Sequence, residues 1–214
     1  MQVVHQSCDK ATVQFGGERI DFVLGGSEAD LAPLFSGSFW SAMIWQRSVD
    51  LMCEYIASHV DEFENRVVLE LGCGLGVPGI TAGLVAHASQ VILTDREDDL
   101  RQLRRSVEGS PALRRFELVN LDWSQTGIPH PQVDSRAEVI LAVECISADA
   151  YGRESLDGLV RAIAKVARAG AVLYVCSCRR EDTDGLDEVL GRFPQRPELV
   201  IKDGKAELYK IRLH

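Results

Sequence analysis

Aromatic residues make up only 7% of the 214 positions, and cations are scarce: 23 Lys and Arg stand against 32 Asp and Glu, a formal net charge of −9. An acidic surface repels the phosphates of nucleic acids and anionic lipids. The expected partner is therefore a protein, with a basic segment favoured, and neither nucleic acid nor membrane. Long hydrophobic runs are missing as well. No stretch of 18 apolar residues offers a transmembrane helix, and Met1–Ala11 lacks the apolar core of a secretory leader. The expected location is the cytoplasm, with the nucleus as a second compartment. None of the six cysteines forms a Cys-x-x-Cys pair, and most sit in apolar runs, which reads as reduced core thiols. The five histidines show no metal-ligand spacing, so no metal is expected. Ser177 has no Gly-x-Ser-x-Gly elbow around it, which removes the support for a hydrolase triad.

What is present alternates. Thr12–Leu24 reads as a hairpin turning at Gly16-Gly17, and Gly25–Gly37 reads as loop. Ile44, Trp45, Val49, Met52, Cys53 and Ile56 form a helical stripe between Met43 and His59. Strands are predicted near 66–71, 90–94, 116–120, 137–143 and 170–178. Helices are predicted near 78–88, 96–107, 154–168 and 182–192. Two further strand-like runs, 197–202 and 206–213, flank the turn dipeptide Asp203-Gly204. Strand–helix alternation with nearly continuous apolar strands implies an α/β fold whose parallel sheet is covered on both faces, with an antiparallel hairpin at its end. With no repeat or linker, residues 1–214 read as one domain: an N-terminal extension over 1–44 and an α/β core over 45–214.

The chemistry concentrates in R-V-V-L-E-L-G-C-G-L-G-V-P-G, residues 66–79. A strand feeding a glycine-rich turn and a helix brings backbone close to a nucleotide-like ligand. Gly74-Leu-Gly-Val-Pro-Gly79 formally satisfies the dinucleotide pattern. Glu70 argues against a pyrophosphate there and suits a ligand bearing an ammonium or sulfonium, such as S-adenosylmethionine. Asp95 ends the second strand, where a carboxylate can accept from both ribose hydroxyls. Asp122-Trp123 follows the third strand: the acid can accept from the adenine amine, and the indole can pack on its ring.

These residues resemble the seven-β-strand class I methyltransferases, and among them the methyltransferase-like non-histone protein-lysine methyltransferases. The likeness is carried by W-Q-R-S-V-D-L (Trp45–Leu51), E-L-G-C-G-L-G-V-P-G-I, V-I-L-T-D-R, L-D-W and V-I-L-A-V-E-C-I, over about residues 38–214. It implies a doubly wound, Rossmann-like, mostly parallel sheet of order 3-2-1-4-5-7-6 with strand 7 antiparallel, preceded by a short β-hairpin. It further implies S-adenosyl-L-methionine as cofactor and a monomer. The same resemblance implies a pocket lined by Trp45, Glu70, Gly72, Cys73, Gly74, Asp95, Trp123 and the backbone near Val143, to which the reading above adds Asp122.

One position departs from the family. Its Asp-x-x-Tyr after the fourth strand is here Glu144-Cys145-Ile146-Ser147. Glutamate keeps the charge on a longer arm, and serine removes the ring. Tyr151 is the tyrosine that this loop offers in replacement, its alternative role being a hydrophobic staple on the following helix. The catalytic candidates are therefore Glu144, Ser147 and Tyr151, with Glu144 orienting the amine. The expected activity is methyl transfer to a protein lysine. A small-molecule N- or O-methyltransferase and a silent cofactor-binding module are the alternatives. Arg179-Arg180, after the fifth strand, is a candidate guide for an acidic target segment.

Overall fold

Central strands buried on both faces organise the fold. The computed structural model describes residues 2–6, 10–23, 47–123, 130–147, 152–179 and 185–214. The chain opens with β1 (Gln2–Gln6), β2 (Lys10–Phe15) and β3 (Glu18–Val23). β2 and β3 are the expected hairpin, with Phe15 opposite Glu18 across Gly16-Gly17. β1 adds a third strand that was not expected. This small sheet docks on the core through the helix Glu97–Gly109: Ser106 Oγ accepts from the Val23 amide at 3.0 Å, and Gln102 Nε2 donates to the Val23 carbonyl at 2.9 Å.

The core starts with α1 (Arg47–Ser58) and β4 (Val67–Leu71), followed by α2 (Val77–Leu84), β5 (Gln90–Asp95), α3 (Glu97–Gly109) and β6 (Glu117–Asn120). After these come β7 (Ala137–Val143), α4 (Arg153–Val166), β8 (Ala167–Cys178), α5 (Gly185–Gly191), β9 (Glu198–Asp203) and β10 (Ala206–Arg212). The large sheet runs β6-β5-β4-β7-β8-β10-β9, with β10 antiparallel to both neighbours. Counted from β4, that order is the 3-2-1-4-5-7-6 implied by the sequence.

Successive residues of one strand serve opposite layers. In β7, Val139, Leu141 and Val143 join the cluster that holds Met52, Ile56, Ile80 and Leu103. Ile140 and Ala142 join the cluster that holds Leu156, Leu159, Ile163 and Val189. The first cluster lies under α1, α2 and α3, and the second under α4 and α5, so the sheet is doubly wound.

Element ends differ from expectation in two places. α2 stops at Leu84 rather than near 88, because the amides of Val85 and Ala86 both turn back to the Thr81 carbonyl. His87 then adopts φ 55°, which lets its carbonyl accept from Asn65 at the entry to β4. β8 follows α4 without a loop; its first four residues, Ala167–Gly170, are not buried, and they carry no apolar period for the sequence to show.

Candidate functional site

Four adjacent parallel strands, β6, β5, β4 and β7, end on the same side of the sheet, at the point where strand order reverses. Clefts at such reversals are where open α/β sheets hold ligands. The sequence candidates gather there: Asp122 and Trp123 after β6, Asp95 closing β5, Glu70 and Gly72–Gly74 at the end of β4, and Val143, Glu144 and Ser147 at the end of β7. Trp45 and Tyr151 lie outside the described residues.

The turn after β4 is built from left-handed backbone: φ is 60° at Gly72, 53° at Gly74 and 70° at Gly76. Gly72 is further constrained by space. A Cβ there would lie 2.9 Å from the Cβ of Cys145 and 3.2 Å from the Trp123 ring. The Cys73 amide donates to the Thr94 carbonyl at 2.9 Å, and Thr94 Oγ1 donates to the Glu70 carbonyl at 2.8 Å, which lock the turn against β5.

Glu70 is buried, and its Oε2 accepts from the Gly79 amide at 2.8 Å, at the start of α2. Gly79 is what allows this approach, since a Cβ there would meet that oxygen at 2.7 Å and Leu93 at 2.5 Å. Burial pushes the Glu70 carboxyl up to about 8, against the pull of the Gly79 amide and with help from the nearby Asp95 charge. Among the described residues no lysine, arginine or histidine pairs with it. Asp95 is also raised, to about 6, by burial first; its Oδ2 accepts from the Gly74 amide and its Oδ1 from the Arg96 amide, both at 2.8 Å. Two mutually repelling carboxyls beside a glycine turn make a poor phosphate site and a good one for a cation.

Trp123 is half-buried, its ring against Gly72 and its backbone oxygen 3.0 Å from where a Gly158 Cβ would stand; its indole Nε1 is buried with no hydrogen-bond partner among the described residues. The Cys73 thiol is pushed well up by burial, which leaves it a packing residue rather than a nucleophile. Val143 is buried and faces Cys176 of β8 in register. Ser147 is buried.

Glu144 adopts φ 53°, left-handed for a residue with a side chain, and strain of that kind collects at functional sites. Its Oε1 accepts from Ser48 Oγ at 2.5 Å and from the Cys178 amide at 2.6 Å. Its own amide donates to the Cys176 carbonyl at 3.0 Å. The carboxylate is thus tied to α1 and to the end of β8. Ser48, fully buried, was not singled out in the sequence. Its only signal there is a small polar residue inside the apolar stripe of a helix.

Arg179 is committed within the chain. Its Nε donates to Glu207 at 2.7 Å, and its two terminal nitrogens reach both oxygens of Asp187 at 2.9 and 2.8 Å. It braces β8, β10 and α5 and is not available as a guide for an acidic segment; Arg180 lies outside the described residues.

Comparisons with known proteins bear on the family and the fold. The profile of a family described as lysine methyltransferase matches residues 36–186. A protein N-lysine methyltransferase METTL21A of Danio rerio is 27% identical over 159 residues, covering 72% of this chain and 68% of that one. The Xenopus tropicalis protein of the same name is 32% identical over 89 residues, 40% of each chain. The aligned stretches thus span between 40% and 68% of the curated relatives. Among solved structures, an S-adenosyl-L-methionine-dependent methyltransferase from Methanococcus maripaludis superposes with a TM-score of 0.60 at 13% identity, over 84% of this chain and 94% of that one. That likeness speaks to the fold.

Proposed function

The chain belongs to the lysine methyltransferase family, and from that premise we propose that it methylates a lysine side chain of a protein substrate with S-adenosylmethionine. The observation that carries the cofactor is Glu70: a buried carboxyl with no cationic partner among the described residues, beside the left-handed turn Gly72–Gly76. A ligand with an ammonium group supplies the missing partner. Asp95 is placed to accept from ribose hydroxyls, and Asp122 and Trp123 flank the adenine end. When bound, the cofactor supplies an electrophilic methyl group on a sulfonium.

The chain's own work lies around Glu144. An acceptor lysine arrives as an ammonium and must lose a proton before its lone pair can attack. A carboxylate held rigidly by Ser48 and the Cys178 amide can receive the amine hydrogen bond and fix the approach angle. Positioning of this kind supplies much of the rate of a displacement. Ser147 carries no aromatic ring where the family has one, and Tyr151 is the residue proposed to supply it. The protein acts as a monomer on a basic segment of its target. Its five free cysteines at described positions support a reducing compartment, cytoplasmic or nuclear.

The test is labelling. The purified chain is incubated with methyl-labelled S-adenosylmethionine and a cell lysate, and labelled bands are digested to find methyl-lysine. Label on lysine in one protein supports the reading. Label in metabolites alone transfers it to a small-molecule acceptor, and no label despite calorimetric binding of the cofactor identifies a silent binding module.

A further inference from the structure

The sequence holds five lysines: Lys10, Lys165, Lys202, Lys205 and Lys210. Four are held in ion pairs. Lys10 meets Asp21 at 2.7 Å, Lys165 meets Asp134 at 3.8 Å, Lys202 meets Glu207 at 2.8 Å and Lys210 meets Glu62 at 2.6 Å. Lys205 is exposed and pairs with none of the described acids.

Its place is at the catalytic end of the sheet. Lys205 sits in the turn between β9 and β10, and because β10 runs antiparallel to β8, that turn stands beside the end of β8: Ala206 faces Cys178. Consecutive amides at the end of β8 and just past it connect the two features. The Cys178 amide donates to the Glu144 carboxylate at 2.6 Å, and the Arg179 amide donates to the Lys205 carbonyl at 2.7 Å. The turn is pinned from its other side, where Asp203 accepts from Arg47 Nε at 2.8 Å, one residue before Ser48. Neighbouring strands lie about 4.8 Å apart, so β10 stands about 10 Å from β7. A lysine side chain spans roughly 6 Å of that gap.

We propose that Lys205 is a methylation site of the enzyme itself. The lysine ammonium first gives a proton to water. The Nζ lone pair then forms a bond to the methyl carbon as the carbon–sulfur bond of S-adenosylmethionine breaks, and the sulfur departs as the neutral thioether S-adenosylhomocysteine. The four paired lysines would each have to abandon a carboxylate before reacting; Lys205 has none to leave among the described residues. The site rests on the lysine-methyltransferase reading above.

The experiment uses the full chain. Incubation with S-adenosylmethionine alone, followed by peptide mass mapping, is expected to add 14 Da methyl increments at Lys205. Lys205→Arg is expected to lose them, while Lys202→Arg keeps them. A second readout needs no turnover. Acylation of surface amines, mapped with and without S-adenosylhomocysteine, is expected to slow severalfold at Lys205 on ligand binding and to stay constant at Lys10. Lysate protein labelled with Lys205 unmodified overturns this site and leaves the activity standing. No methyl-lysine in either the chain or the lysate overturns both. An acylation rate at Lys205 indifferent to the ligand removes it from the mouth of the site.

Discussion

The hydroxyl of Ser48 donates a 2.5 Å hydrogen bond to Oε1 of Glu144, joining the first core helix to the end of β7 across 96 residues of sequence. A hydrogen bond to a charged group contributes about 1.5–3 kcal/mol. Ser48→Ala is therefore expected to lower turnover about tenfold through loss of about 1.4 kcal/mol of positioning, with cofactor affinity unchanged. Glu144→Ala is expected to abolish transfer while calorimetry still registers cofactor. Because Ser48 acts through Glu144, adding Ser48→Ala to Glu144→Gln should cost little more, and fully additive losses would refute the coupling.

Cofactor binding should depend on pH through Glu70. With its carboxyl raised to about 8, Glu70 is largely protonated at neutral pH without ligand. A cation prefers the ionised form, so affinity should rise with pH by up to about tenfold per unit between pH 6 and 8, with proton release seen as buffer-dependent binding heat. Stability of the free chain runs the other way. A raised carboxyl favours folding below its ordinary value of 4.5 and loses that advantage as pH climbs through about 8. Glu70→Gln should flatten both profiles, and an unaltered affinity profile would remove Glu70 from the cofactor site.

Gly79→Ala tests the approach of α2 to β4. The added methyl would stand 2.5 Å from Leu93 and 2.7 Å from Glu70 Oε2. Overpacking of a tight core costs about 1–3 kcal/mol, so urea denaturation should show that loss together with weakened cofactor binding. Gly17→Ala is the control, since nothing lies within 4 Å of that position.

Arg179→Ala should destabilise the chain by about 1–3 kcal/mol, because it strips one cation from the buried Glu207 carboxylate while Lys202 and Tyr209 remain. Burial pushes the Glu207 carboxyl up, but hydrogen bonds from Lys202, Tyr209 and Arg179 outweigh it and hold the group below its ordinary 4.5. Stability from this cluster is present above 4.5 and is lost as pH falls through the lower folded value. The variant should therefore show a shallower acid limb in denaturation measured from pH 6 downward.

Much of this was legible in the sequence because the central strands are buried on both faces, so their apolar runs announce them. Glu70, Asp95 and Trp123 stood out because each follows or interrupts such a run. β1 was missed because Gln-Val-Val-His-Gln has too few apolar residues to set a period. Ser48 and Glu207 were missed for another reason. A buried polar residue is explained only by its partners, and Glu144 and Arg179 lie 96 and 28 residues away. Arg179 was misjudged on the same ground, since adjacent arginines suggest an open cationic surface until Asp187 and Glu207 are placed beside them.

The insertion of β10 between β8 and β9 bears on how the protein is made. β8 supplies the amide that holds Glu144, yet among the described residues its outer edge pairs only with Ala206–Arg212. During synthesis from the N-terminus, that edge stays bare until Ala206–Arg212 have left the ribosome. A bare strand edge is a template for pairing with other chains. A premature stop codon upstream of Ala206 should therefore yield an aggregating fragment rather than a shortened enzyme.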